Sequence, residues 1–266
     1  MRVGLDGRTL IVTGGTQGVG AAIARLAAES GASGIVVAGR NAERGGAVAQ
    51  SLAPYGCRGV FVEADLAEPD APGRLVSAAV DAFGKVDGLV NAAADTHRAG
   101  LEHATIADWD SLFTVNARAP FFLMQAAVRD MKRRAEPGSI VNILSMNLYC
   151  GAPELAVYSA TKGALGVLTK NAANAFLTDR IRVNGINVGW VATPAEHVMQ
   201  SRTLGKGEEW LQRASAGMPL GRLLTIDEVA QLAVFLLSDM SGLMTGVLVD
   251  LEQIVVGALG HAAIAQ

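Results

Sequence analysis

Tyr158 and Lys162 stand four residues apart in Tyr158-Ser159-Ala160-Thr161-Lys162, which puts a phenol and an ammonium on one face if the segment is helical. Interconverting an alcohol and a carbonyl moves a proton at oxygen as hydride moves at carbon, so it needs an acid/base group within hydrogen-bond reach of that oxygen. A phenol with an ordinary pKa near 10 is mostly neutral at pH 7, and a nearby cation lowers the cost of ionising it. Tyr158 is then the proton donor or acceptor, with Lys162 depressing its pKa. Many helices carry such a pair by chance, so its surroundings must decide.

The elements that would position the pair alternate along the chain. Short strand-like runs fall at 10–13, 35–38, 60–62, 88–91, 140–144, 183–188 and 247–250, separated by helical patterning at 21–30, 74–83, 109–133, 156–177 and 226–237. Alternation of this kind predicts right-handed crossovers and a parallel sheet covered on both faces, with ligands at the carboxyl ends of the strands. The first run ends in Thr13-Gly14-Gly15-Thr16-Gln17-Gly18-Val19-Gly20 and passes straight into a helix. Gly14 permits the tight turn, Gly18 a close backbone approach to phosphates, and Gly20 close packing of helix on strand. Residues 191–224 are less regular and form an excursion able to cover a site.

The spacing Thr-Gly-x-x-x-Gly-x-Gly resembles the glycine loop of the short-chain dehydrogenase/reductase family. Ser145 precedes Tyr158 by the family's serine-to-tyrosine separation, and Asn116 in Phe113-Thr114-Val115-Asn116 resembles the asparagine of its catalytic tetrad. The resemblance spans about residues 7–250. It implies a single Rossmann-type α/β domain, residues 1–266, with a doubly wound seven-stranded parallel sheet. It also implies a tetrad in which Ser145 holds and polarises the substrate oxygen, Lys162 hydrogen-bonds the nicotinamide ribose, and Asn116 binds a water linking Lys162 to solvent. Cofactor contacts carried over are Gly14, Thr16, Gln17, Gly18, Val19, Arg40, Asn41, Asp65, Leu66, Asn91, Tyr158, Lys162, Val191 and Thr193. Asp65 matches the aspartate near the adenine, unless it only caps the next turn. Asn91 can brace neighbouring strands.

Three departures from the family pattern stand out. Ala94 replaces the usual glycine after Asn91, Val188-Gly189 replaces Pro-Gly, and Gln17 stands where many NADP-binding relatives carry a basic residue. Choice of cofactor turns on Gly39-Arg40. No acid is present to accept from a ribose 2′-hydroxyl, and Arg40 suits a 2′-phosphate, so NADP is expected, with NAD possible. The competing reading makes Arg40 an exposed helix start, with Glu43 and Arg44 paired on that helix's surface.

A net charge of −3 offers no global attraction to nucleic acid, and Lys132-Arg133-Arg134 reads as a solvated helix end. Cys57 and Cys150 lack zinc or redox spacing and read as small packed side chains in a reducing, cytoplasmic compartment. No signal stretch or membrane-length apolar run is present; residues 232–237 read as buried helix. His97, His103, His197 and His261 form no metal-ligand pattern, so no metal is expected. Trp109 is assigned to core packing, His197 and Glu196 to a solvated loop, and Trp190 and Trp210 to either substrate contact or packing.

The expected activity is oxidation of a secondary alcohol or reduction of a ketone by a homotetramer or homodimer. Glu196, Gln200, Arg202, Glu208 and Glu209 suit a hydroxyl-rich small molecule such as a sugar or polyol. A 3-ketoacyl thioester reductase is the enzymatic alternative, marked by a basic patch beside the cleft. A nicotinamide-sensing regulator without activity is the other, disfavoured because all four tetrad residues are present.

Overall fold

All seven strand-like runs become strands of one parallel sheet, each within two residues of the expected start and one of the expected end. The computed structural model describes residues 4–257. Its strands are β1 (Thr9–Thr13), β2 (Gly34–Gly39), β3 (Arg58–Glu63), β4 (Gly88–Asn91), β5 (Gly138–Ile143), β6 (Ile181–Val188) and β7 (Leu248–Leu251). Their order is β3-β2-β1-β4-β5-β6-β7, and every pairing is parallel. The helices are α1 (Gly18–Glu29), α2 (Ala42–Gln50), α3 (Ala71–Phe83), α4 (Ile106–Phe113), α5 (Ala119–Arg134), α6 (Ala156–Ala175), α7 (Pro194–Val198), α8 (Trp210–Ala216) and α9 (Ile226–Leu237).

The period-two alternation of the central strands divides the core between two layers. Leu10, Val12, Ile35 and Val37 face Ile23 and Ala27 of α1 and Val229 and Ala233 of α9. Ile11, Val36, Leu89 and Ile140 face the other way, onto Leu75 of α3, Leu123 and Met131 of α5, and Leu165 of α6. Helices on both faces give the doubly wound, Rossmann-type single domain. The chain reverses direction across the sheet between β1 and β4, which opens a crevice at their carboxyl ends.

Several expectations need correction. The helical stretch 109–133 is interrupted by a π-helical turn, Thr114–Arg118, between α4 and α5. Helix α2 was not singled out because its buried residues are only Gly45 and Ala49. A Cβ at Gly45 would lie 2.1 Å from the Phe61 ring, so close packing on β3 replaces an apolar stripe. The excursion 191–224 carries α7, a π-helical turn (Met199–Thr203) and α8. Trp109 is half exposed and stacks on Phe113 at 4.5 Å, on the outer side of α4. Cys57 is buried but Cys150 is exposed. The basic run does end α5, with Lys132 and Arg133 exposed as expected, and it is paired: Lys132 with Asp179 at 2.9 Å, Arg133 and Arg134 with Asp130 at 2.6 and 2.9 Å. His261 lies outside the described residues. Among the described residues no helix is long and apolar enough to cross a membrane, and no His/Cys/Asp/Glu group could hold a metal.

Candidate active site

The crevice opens into a cavity of about 1070 Å³ that runs from the glycine loop to the excursion. Its floor is made by strand ends. Thr13 ends β1, and its hydroxyl donates to the Val90 carbonyl at 3.3 Å and accepts from the Ala92 and Ala93 amides at 3.2 and 3.3 Å, fastening the switch-point strands together. Asn91 donates to Asn142 Oδ1 at 2.8 Å, the brace expected of it. Asn91 does this from behind the cavity wall. Ala94 takes no left-handed backbone, so the missing glycine costs this turn nothing.

The glycine loop meets its steric demands at two positions. Gly14 has φ +65°, and a Cβ there would stand 2.8 Å from the Ala93 backbone; at Gly20 it would stand 2.3 Å from the Gly14 carbonyl oxygen. Gly14, Thr16, Gln17, Gly18 and Val19 line the cavity, together with Arg40, Asn41, Asp65 and Leu66. Open backbone amides at the start of α1 fit a pyrophosphate. Asp65 caps its own turn, accepting from the Ala67 amide at 2.9 Å, and it does so while lining the cavity.

Gly39 explains the missing acid, because a Cβ there would lie 2.6 Å from Thr16 Cγ2. Arg40 is exposed at the rim and makes no ion pair among the described residues. Asn41 caps α2 by accepting from the Arg44 amide at 2.8 Å. Arg44 does not pair with Glu43. Its guanidinium donates to Gln17 Oε1 at 2.8 Å and lines the cavity. A second cation therefore stands over the glycine loop where the sequence offers only Gln17.

At the other end, Ser145 follows β5 and Tyr158 lies in the first turn of α6, both buried and both lining the cavity. Burial pushes the Tyr158 phenol up to about 12; the Ser145 hydroxyl opposes this by hydrogen bonding, the Glu196 carboxylate adds to it, and the Arg98 guanidinium opposes it. Lys162 is one helical turn on, behind the wall, with Nζ 5.6 Å from the Tyr158 ring centroid. It donates to the Ile143 carbonyl at 2.8 Å, and burial brings its pKa down to about 8. Its charge therefore titrates close to neutrality rather than holding Tyr158 ionised.

Asn116 is buried, and its side chain braces the surrounding backbone. The π-helical turn widens the helix at this residue and directs the buried amide at the loop after β4. Oδ1 accepts from the Asp95 amide at 2.8 Å, while Nδ2 donates to the Asp95 carbonyl at 2.8 Å and to Thr161 Oγ1 at 3.2 Å. The side chain is committed to tying that loop to α6 beside Lys162.

Val191 and Thr193 line the cavity. Val191 pairs with Leu224 across the base of the excursion, and the Thr193 hydroxyl caps α7 through the Glu196 amide at 3.0 Å. The restraint lost at Val188-Gly189 is supplied from β7, where the Gly189 amide donates to the Leu251 carbonyl at 2.9 Å and the Trp190 amide to Glu252 Oε2 at 3.3 Å. Glu196 and His197 are not a solvated loop. Glu196 Oε1 accepts from Trp190 Nε1 at 2.9 Å and from Gln200 Nε2 at 2.6 Å. His197 Nδ1 accepts from Trp210 Nε1 at 2.9 Å. Trp190, Glu196 and Gln200 line the cavity; Trp210 is buried beneath them, and Arg202, Glu208 and Glu209 lie outside. Arg98 and Glu252, both lining the cavity, had no sequence signal, since each sits in a loop with no periodicity.

Comparison with known proteins agrees with this geometry. A family model described as enoyl-(acyl carrier protein) reductase, one of the short-chain dehydrogenase/reductase models, matches residues 14–251. Curated relatives include an NADP-dependent (R)-specific alcohol dehydrogenase of Lentilactobacillus kefiri, 33% identical over 91% of this chain and 94% of its own. A gluconate 5-dehydrogenase of Gluconobacter oxydans is 34% identical (91% and 92%), and a 3-oxoacyl-(acyl-carrier-protein) reductase of Chlamydia pneumoniae is 33% identical (92% and 95%). Among solved structures, the L-sorbose reductase of Gluconobacter frateurii with NADPH and L-sorbose superposes with a TM-score of 0.89 at 28% identity, covering 97% of this chain and 100% of that one. The chain belongs to the short-chain dehydrogenase/reductase family, whose members are oxidoreductases acting on hydroxyl and keto groups.

Proposed function

We propose that this chain is an NADP(H)-dependent oxidoreductase that interconverts a secondary alcohol and a ketone on a sugar, polyol or similar small hydroxylated molecule. The observation that carries the reading is the placement of the buried Tyr158 hydroxyl and Ser145 at one end of a cavity whose other end holds Arg40 and Arg44. A bound nicotinamide cofactor supplies or accepts the hydride. The amides of the glycine loop hold its pyrophosphate, Asp65 and Leu66 flank the adenine, and Val191 and Thr193 hold the nicotinamide end. Arg40 and Arg44 take the 2′-phosphate through charge-assisted hydrogen bonds. A relative named for NADP and a neighbour solved with NADPH support that choice, although a xylitol dehydrogenase solved with NAD⁺ is also similar (TM-score 0.85).

Ser145 holds the reacting oxygen by hydrogen bond. Tyr158 gives that oxygen its proton during reduction and takes it back during oxidation. A phenol near 12 is protonated throughout the neutral range, which suits it to donate. As the phenolate forms, the Lys162 ammonium stabilises it at close range in a dry site. Asn116 acts as a positioning residue, holding the loop after β4 against α6.

The substrate end favours a hydroxylated molecule over an acyl thioester: Asp95, Glu154, Glu196 and Glu252 line it against Arg98 and Lys206, which is not a basic patch. Exposed Ile106, Trp109, Phe121 and Phe122 on α4 and α5 support assembly as a homodimer or homotetramer. The deciding experiment follows NADPH absorbance with a panel of keto sugars, simple ketones and a 3-ketoacyl thioester, and NADP⁺ with sugars and polyols. Turnover of hydroxylated substrates with NADP(H) is expected. Turnover of the thioester alone, or of none, overturns the reading.

A further inference from the structure

Among the described residues Arg98 has no counterion. It lies in the loop after β4, where the neighbouring Ala99 carbonyl accepts from the Val157 amide at 3.1 Å, so this loop is hydrogen-bonded directly to the first turn of α6 beside Tyr158. The guanidinium donates through one terminal nitrogen to the Thr96 carbonyl at 3.1 Å, and Nε is buried with no acceptor. No carboxylate of the described residues lies within ion-pair distance, although Asp95 and Glu154 line the same cavity. Buried donors are normally satisfied, and a guanidinium presents a planar fork matched to a carboxylate.

A second unsatisfied group faces the same space. Gln200 is only 4% exposed, lines the cavity, and its Nε2 is held by Glu196, yet its Oε1 has no donor. Glu196 uses Oε1 for both Trp190 and Gln200, which leaves Oε2 open. The cavity thus offers acceptors for hydroxyl groups at the excursion and a free cation at the loop after β4. Arg98 and Glu196 line the same cavity as Tyr158, and they act electrostatically on its hydroxyl in opposite directions.

We infer that the substrate is a polyhydroxylated carboxylate, its carboxylate bound by Arg98 and its hydroxyls donated to Gln200 and Glu196. The inference rests on the oxidoreductase reading for the identity of the site and adds the acid group. Reversing the substrate would set its carboxylate against Glu196, so the charges also fix which end enters first.

The test compares five- and six-carbon aldonates with alditols of matching configuration, using NADP⁺ and the full-length wild type, Arg98→Met and Arg98→Lys. Wild type is expected to show at least about tenfold higher kcat/KM for an aldonate than for its alditol. Arg98→Met should lose about 10- to 100-fold on the aldonate, as expected for a charged hydrogen-bonded contact, and far less on the alditol; Arg98→Lys should fall between. Equal losses on both sets, or an alditol preference in wild type, overturn the inference. Binding is read separately, by isothermal titration of aldonate into the NADP⁺ complex. Arg98-dependent binding without turnover supports the acid site and overturns the oxidoreductase reading. Turnover of alditols without aldonate binding does the reverse. Unchanged NADP⁺ affinity and melting temperature show that Arg98→Met is folded.

Discussion

The Lys162 ammonium sits 5.6 Å from the centre of the Tyr158 ring and is hydrogen-bonded to the Ile143 carbonyl, so the charge that assists the phenol is itself buried. Burial moves the two groups in opposite directions, Tyr158 to about 12 and Lys162 to about 8. Proton donation then depends on the protonation of the lysine. Below about pH 8 the ammonium is present and the incipient phenolate is stabilised. Above it the charge is lost while Tyr158 still holds its proton. The kcat/KM for ketone reduction should therefore be flat from pH 6 to about 7.5 and fall above pH 8, approaching tenfold per pH unit. A profile flat to pH 10 would contradict this.

The same burial predicts a trade of stability against activity. The folded-state pKa of Lys162 lies below its ordinary 10.5, so the unfolded chain binds the extra proton between about pH 8 and 10.5, and stability from this group rises with pH across that window. Below pH 8 the desolvation penalty is borne in full. Lys162→Met keeps the stem and removes the charge. At pH 7 it should be more stable than wild type by roughly 1 to 3 kcal/mol, less what the Ile143 carbonyl loses, while turnover collapses. Denaturant unfolding checks the first part; a destabilised variant would mean that the ammonium is better solvated than its burial implies.

In the proposed function Arg40 and Arg44 share the cofactor's 2′-phosphate. Each charged contact is worth roughly 1.5 to 3 kcal/mol, so Arg40→Ala should lower kcat/KM with NADPH by about 10- to 100-fold and leave NADH nearly unaffected. Arg44→Ala should act in the same direction and also release Gln17. Steady-state kinetics with both cofactors decide it. Equal losses with each, or a wild-type preference for NADH, would remove both residues from cofactor choice.

The excursion is held by Trp190, whose ring nitrogen and main-chain amide are anchored to Glu196 and Glu252. Trp190→Phe keeps an aromatic, if smaller, side chain but drops the donor that orients Glu196. Substrate KM should rise several-fold while cofactor affinity stays within about twofold. Limited proteolysis offers an independent reading: cofactor plus substrate should slow cleavage within 191–224. An unprotected excursion would place it away from the substrate.

The strands and the glycine loop were legible because their signals are local. β-branched runs, a period of two and a glycine where φ must be positive or a Cβ would collide all leave marks in the sequence itself. Tyr158 and Lys162 were legible by helical spacing. Arg44, Arg98 and Glu252 were not, because they reach the cavity through a capped helix start and two loops whose paths depend on distant partners. Glu252 shows this most plainly. It replaces the rigidity that Val188-Gly189 lacks, from 62 residues away. Asn116 was found by motif, but the π-helical turn that redirects its amide towards Asp95 is a backbone event that side-chain pattern does not encode.

The central claim is that Tyr158 moves the proton. Tyr158→Phe removes one oxygen from a buried side chain and leaves the ring, the Lys162 position and the cavity wall in place. With the best hydroxylated substrate from the panel, its kcat/KM should fall by about 10² to 10⁴-fold, with NADPH affinity within about twofold of wild type. Turnover within tenfold of wild type, at unchanged cofactor affinity, would contradict the account.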